Sequence, residues 1–186
     1  MNADHLKLCA SPEWADAVKR WILPWVLEDV DLGDDVLEIG PGPGLTTDML
    51  CGMVPRLTAL EINPDLAAAL DARLRPSEVE VICGDAGATK LSGGRFSSVV
   101  CLTMLHHVPS PAAQDAVFAE ARRLLRDGGL LVGQDSLDST ELRELHVGDT
   151  CVPVDPSTLG ERLESAGFAS VAVDTNDYAV RFRAWR

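Results

Sequence analysis

The sequence predicts a doubly wound α/β fold: a mostly parallel sheet with helices on both faces and an antiparallel last strand. Three observations predict it. From residue 35 onward, short apolar runs of strand type alternate with helical patterns, as parallel strands joined by crossover helices require. The first run, Val36 to Ile39, feeds directly into a glycine-rich turn, VLEIGPGPG, which opens into a helix at Thr46, Thr47 and Asp48. The chain closes with strand-type runs at 168–175 and 178–185, separated by the turn Thr175-Asn176-Asp177. Strands joined by so short a turn must be antiparallel.

The remaining elements follow in order. Strands are expected near 35–40, 56–61, 79–83, 98–103 and 129–135, with helices at about 45–53, 64–75, 112–126 and 156–166. Asn63-Pro64 supplies an N-cap and a first-turn proline, and Asp127-Gly128-Gly129 reads as a glycine turn ending the 112–126 helix. Residues 11–30 read as one or two helices broken at Pro24. There Trp14, Val18, Trp21 and Trp25 recur at helical spacing and form one apolar face. That face either packs on the core or serves as a lid over a ligand.

The chemistry begins at the glycine turn. Gly40, Gly42 and Gly44 let backbone approach a bulky ligand and aim N–H groups at it. Glu61 ends the next strand in TALEINP, where a carboxylate is placed to accept hydrogen bonds from ribose hydroxyls. Asp85, in Gly84-Asp85-Ala86 after the third strand, can take the exocyclic amine of adenine. Together these specify a nucleoside-containing cofactor. Leu45 stands where a dinucleotide fingerprint needs its third glycine, and Pro41 and Pro43 remove donors that a pyrophosphate cradle would use.

The ordered set EIGPGPG, EINP and GDA resembles the class I S-adenosylmethionine-dependent methyltransferases. The resemblance continues through FSSVVCLTMLHHV and LLRDGGLLVGQD, over roughly residues 30–186. It implies a Rossmann-like, seven-stranded sheet with a reversed last strand. The implied cofactor is S-adenosylmethionine, leaving as S-adenosylhomocysteine. Its implied contacts are Glu38, Gly40, Gly42, Gly44, Glu61, Ile62, Asp85, Ala86, Leu102 and Thr103. Glu61 would hold the ribose, Ile62 would pack on adenine, and the carbonyl near Leu102 to Met104 would face the methionine ammonium. It also implies division of a single 1–186 domain into an N-terminal helical cap (1–34), a cofactor-binding core (35–135) and a substrate-side segment (136–186).

Two histidines, His106 and His107, follow the fourth strand, close to where the methyl group should lie. Imidazole suits a general base for a hydroxyl or thiol, so His107, and after it His106, are the catalytic candidates; the alternative is a structural role in the turn. The fourth strand runs into LTMLHH and lacks the Asn/Asp-Pro-Pro-aromatic run of enzymes that methylate base or amide nitrogens. Gln134, Asp135, Asp138, His146 and Asp149 could suggest a metal, but paired carboxylates with an adjacent Asn are not visible, so none is expected. Asp135 and Asp138 read as solvated loop residues, and 136–154 as the lining of the substrate entrance.

Composition sets the partners. A net charge of −13 disfavours nucleic acid and acidic membranes, and the only close basic group, Arg122, Arg123 and Arg126, sits at a helix C-terminus. The five cysteines show no CxxC spacing, and no apolar run spans a bilayer, which suits a cytoplasmic protein with reduced thiols. The expectation is a methyltransferase acting on a small molecule through an O, N, S or C nucleophile. Its rivals are a methyltransferase-fold protein that binds cofactor without catalysis and an NAD(P)-dependent oxidoreductase. The oxidoreductase reading is weakened by Leu45 and by a single tyrosine, Tyr178, with no partner lysine. Oligomeric state is not legible.

Overall fold

In a computed structural model the chain forms one seven-stranded sheet; residues 2–75 and 77–186 are described. The strands are β1 (Asp35–Ile39), β2 (Arg56–Glu61), β3 (Glu80–Cys83), β4 (Phe96–Leu102), β5 (Leu125–Ser136), β6 (Ser170–Thr175) and β7 (Ala179–Trp185). Their spatial order is β3-β2-β1-β4-β5-β7-β6. All neighbours run parallel except β7, which is antiparallel to both β5 and β6. The order reverses between β1 and β4, so the carboxyl ends of these strands frame the crevice where ligands bind in such sheets.

Burial follows position. Every residue of β1 and β4 is buried, as expected of central strands covered on both faces, whereas edge strands β3 and β6 are half-exposed. Alternate side chains feed two cores. Leu37, Ile39, Val99, Cys101 and Leu131 join Phe118 and Leu124 on one side, and Val36, Val100, Leu102 and Val132 join Val18, Val26 and Leu50 on the other. The helices are α1 (Ala3–Cys9), α2 (Pro12–Ala17), α3 (Leu23–Val26), α4 (Leu45–Leu50), α5 (Pro64–Leu74), α6 (Pro111–Leu124), α7 (Thr140–Leu145) and α8 (Pro156–Ser165). Side chains of Asn63, Ser110 and Asp155 cap α5, α6 and α8, each followed by proline in the first turn.

Three local expectations are corrected. The N-terminal helix does not break at Pro24; a π turn, Val18–Ile22, joins α2 to α3 just before it, with Leu23 N–H bonded to the Val18 carbonyl. A π turn inserts a residue into the helical repeat. The predicted face therefore splits: Val18 is buried and Trp14 and Trp25 are partly covered, while Trp21 points out at 72% exposure. Asp127-Gly128-Gly129 does not end a helix; α6 stops at Leu124 and the tripeptide forms an irregularity within β5, with Gly128 at φ 73°. Helices α1 and α7 were not expected, and both carry residues of consequence below. Among the described residues no helix is long and apolar enough to cross a membrane.

Gly133 lies opposite Phe182 where β5 meets β7. A Cβ there would collide with the Phe182 ring and sit 2.5 Å from the Cys101 carbonyl oxygen, with backbone on one side and a fully buried ring on the other. Gly133→Ala is expected to destabilise the protein by about 2–3 kcal/mol through overpacking. Urea unfolding measures this, and a midpoint within error of the parent would contradict it.

Candidate functional site

The glycine turn is built by backbone conformation and one carboxylate. Gly40, Gly42 and Gly44 all have positive φ, at 70°, 55° and 91°. At Gly40 a Cβ would lie 2.8 Å from that of Met104, and at Gly44 it would lie 2.5 Å from an Arg73 guanidinium nitrogen. Side chains are thus excluded by space as well as by φ. Glu61, 5% exposed, reaches across from β2: one carboxylate oxygen accepts the Gly42 N–H at 3.0 Å and the other the Asn63 N–H at 2.9 Å. The residue expected to hold ribose therefore also ties together two of the loops that would surround it.

Glu38 is buried at 2% exposure on β1. One oxygen accepts the Thr46 hydroxyl, while Oε2 is buried with no hydrogen-bond partner. Burial drives its carboxyl up to about 7, against the pull of the Thr46 hydroxyl. An unsatisfied buried carboxylate beside a glycine turn fits a cationic ligand group such as the ammonium of a methionine moiety.

Past these residues lies a cleft of about 320 Å³ lined by Gly40, Ile62, Asp85, Ala86, Met104 and His107, among others. Ile62 is 67% exposed at its mouth. Asp85 accepts the Gly87 N–H at 2.8 Å, which shapes the turn after β3. Glu38, Gly42, Gly44 and Glu61 are not among the lining residues of this cleft. Leu102 is buried at the end of β4, and Thr103 follows in the left-handed region at φ 49°, its N–H donating to the Gln134 carbonyl at 2.9 Å. A β-branched residue rarely adopts that conformation, so the chain leaves β4 under local strain.

A second cavity, of about 660 Å³, lies beyond Thr103 and His106; its walls include Trp14 from α2, Leu142 from α7 and Tyr178. The 103–107 turn is thus a wall common to both cavities. Asp135 holds this turn. Far from being a solvated loop residue, it is 0% exposed at the end of β5. One of its oxygens accepts the backbone N–H groups of Leu105 (2.8 Å) and His106 (3.3 Å), and the other meets His106 Nδ1 (2.5 Å) and the Ser136 N–H (2.8 Å).

The four histidines of the chain converge here. His106 and His107 meet His5 from α1 and His146 from the end of α7, with ring centroids 4.3 to 6.2 Å apart. Burial, reinforced by His146 and His106, pushes the His5 imidazole down to about 4. Burial and the other three rings push His107 down to about 3. Both rings are neutral at pH 7 and weakly basic, which weighs against His107 as the acceptor of a hydroxyl proton. His5 escaped sequence reasoning because nothing in the local pattern ADHLKLC joins it to residues a hundred positions away.

A family model described as a methyltransferase domain matches residues 37–133. The chain belongs to this family, the class I S-adenosylmethionine-dependent methyltransferases. A ubiquinone biosynthesis O-methyltransferase of Xanthomonas oryzae is 32% identical over 113 residues, covering 59% of this chain and 46% of that protein. A probable ribosomal RNA small subunit methyltransferase A of Methanothermobacter thermautotrophicus is 45% identical over 98 residues, covering 52% and 34%. The chain thus spans less than half the length of these curated relatives. Among solved structures, a SAM-dependent methyltransferase from Aquifex aeolicus superposes with TM-score 0.77 at 18% identity, covering 100% of this chain and 98% of that one.

Glu38 provides a prediction independent of any acceptor. Its folded-state pKa, about 7, lies above the ordinary 4.5, so its contribution is fully present below about pH 4.5 and is lost as pH rises through 7. Glu38→Gln, uncharged throughout, should remove that loss. Relative to the variant, the ligand-free parent is expected to lose on the order of 3 kcal/mol between about pH 4.5 and 8. Urea unfolding of both proteins across this range measures it; parallel profiles would contradict the assignment.

Proposed function

We propose that this chain transfers the methyl group of S-adenosylmethionine to a small-molecule acceptor held in the 660 Å³ cavity. The observation that carries this reading is the shared wall: the 103–107 turn lines the glycine-turn cleft on one side and the larger cavity on the other. An acceptor in the second cavity would approach a methyl group presented from the first. Bound cofactor supplies an electrophilic methyl, so the chain's part is to position the two reactants and exclude water. Glu38 would meet the ammonium, Glu61 the ribose hydroxyls, and Ile62, Asp85 and Ala86 the adenine.

The likeness to a ribosomal RNA methyltransferase favours a second reading, RNA as acceptor. Charge argues against it. The net charge is −13, and two of the basic residues grouped at the end of α6 are internally paired: Arg123 with Glu120 at 2.7 Å and Arg126 with Asp34 at 2.8 Å. A screen with methyl-labelled cofactor against phenols, thiols, amines, carbon acids and ribosomal RNA decides between them. Label in a small acceptor and none in RNA is the expected result; label in RNA alone would overturn the reading, and label in neither would favour a cofactor-binding protein without catalysis.

Glu61 tests the cofactor half. Glu61→Ala should weaken S-adenosylhomocysteine binding by roughly tenfold to a hundredfold, as charge-assisted hydrogen bonds to two hydroxyls are lost. It should also lower stability, because the Gly42 and Asn63 N–H groups lose their acceptor. Calorimetric titration alongside thermal unfolding separates these effects; unchanged affinity in a folded variant would place the ribose elsewhere.

A further inference from the structure

We infer that His5, His106, His107 and His146 form a binding site for one divalent transition-metal ion of the zinc class, which fastens α1 to the sheet. One ligand nitrogen from each ring can be chosen so that all four lie within 4.8 Å of one another. Each ring carries a buried nitrogen with no hydrogen-bond partner: Nδ1 of His5 and Nε2 of His106, His107 and His146. His5, His106 and His146 are 6%, 2% and 3% exposed. Buried polar atoms are rarely left unpaired, and four converging on one point call for a ligand common to them all.

The surrounding bonds orient two of the rings for coordination. His146 Nδ1 lies 2.6 Å from the Leu142 carbonyl, which can only accept, so the proton is on Nδ1 and Nε2 carries the lone pair. His106 Nδ1 faces the Asp135 carboxylate at 2.5 Å, so a neutral ring protonated at Nδ1 would offer Nε2 as a lone pair too. Carboxylate-to-histidine and carbonyl-to-histidine contacts of this kind fix the tautomer of metal-bound imidazoles and raise their donor strength. Where all four unpartnered nitrogens carry lone pairs they cannot hydrogen-bond to one another, and a cation between them satisfies every one. Tetrahedral zinc at about 2.0–2.1 Å from nitrogen sets its ligands about 3.4 Å apart, so nitrogens that lie within 4.8 Å of one another need to close by at most about 1.4 Å. An all-imidazole set suits zinc, nickel, cobalt or copper, and is a poor match for magnesium or calcium, which prefer oxygen.

The ligands come from three separate parts of the chain, which gives the ion a mechanical role. His5 lies on α1, His106 and His107 on the turn after β4, and His146 at the end of α7. Without an ion, α1 is tied to that region by polar contacts from Asn2, whose amide reaches the Leu145 carbonyl at 2.8 Å and whose N–H reaches Asp149 at 2.8 Å. A bound ion would clamp α1 beside the larger cavity while its ligands form part of that cavity's wall. This inference does not depend on which acceptor is methylated, or on methylation at all.

The experiment uses the full chain, purified without a histidine tag and stripped of metal by chelation. Zinc is expected to bind with one equivalent and to raise the thermal unfolding temperature. Cobalt is expected to give the intense visible bands of a tetrahedral nitrogen site. His5→Ala, a helix-compatible change on α1, and His107→Ala should each weaken zinc binding at least about tenfold and diminish the cobalt bands. If neither variant folds, X-ray absorption of the cobalt-loaded parent counts the imidazoles directly, with four expected and two or fewer overturning the site. Failure of the parent to bind zinc or cobalt at micromolar concentration, or binding unchanged in both variants, would overturn the inference.

Discussion

The arrangement depends on one buried carboxylate. Asp135, at the end of β5, accepts three backbone N–H groups and faces His106 Nδ1, all within 3.3 Å. A carboxylate fully removed from water is costly unless its lone pairs are satisfied, and these partners satisfy it. In return it fixes the turn after β4, which supplies Met104 and His107 to the cofactor cleft and Thr103 and His106 to the larger cavity. Two neighbouring parallel strands thus cooperate: β4 delivers the turn, and β5 provides the anion that holds it.

The sheet was legible because its signals are local. Continuous apolar runs such as Val99 to Leu102, and the Val-Leu-Glu-Ile run at Val36 to Ile39 that leads into glycines, announce strands buried on both faces, and the glycine turn announces itself by residue type. The reversed β7 could be read from the shortness of the turn before it. What was not legible depends on tertiary context. The π turn ahead of Pro24 arises where a missing N–H meets a helix that must still pack on the sheet, and the spacing of Trp14, Val18, Trp21 and Trp25 cannot show the inserted residue. Asp135 looked like a loop residue because polarity is a poor guide at the carboxyl end of a strand, where here the side chain is buried by accepting the backbone N–H groups of the neighbouring turn.

The histidines show the same limit more sharply. His106 and His107 are adjacent in sequence, but His5 and His146 join them only because α1 and α7 fold over the same end of the sheet. No spacing rule connects positions 5, 106, 107 and 146, so a ligand set distributed in this way stays invisible until topology is known. Within the family-matched segment, 37–133, lie only two of the four. The other two belong to the segments outside it, which also supply much of the wall of the larger cavity.

That division has a physical consequence. The residues proposed to hold the cofactor sit at the tips of β1, β2 and β3, which are joined by backbone bonds such as those from the Gly40 N–H to the Leu60 carbonyl and from the Gly84 N–H to the Glu61 carbonyl, both at 2.9 Å. The larger cavity instead borrows its walls from α1, α2, α7 and Tyr178. Side chains join the parts of the chain around it: Asn2 bonds the 145–149 turn, and on α3 the Val26 carbonyl accepts from Arg183 at 3.2 Å and Trp25 lies under Arg181 at 5.1 Å, while the Tyr178 carbonyl takes the Leu137 N–H at 2.9 Å. Side-chain contacts can be exchanged without disturbing the backbone ladder of β1 to β4. The strained Thr103 and the Asp135-bound turn form the boundary between the two cavities.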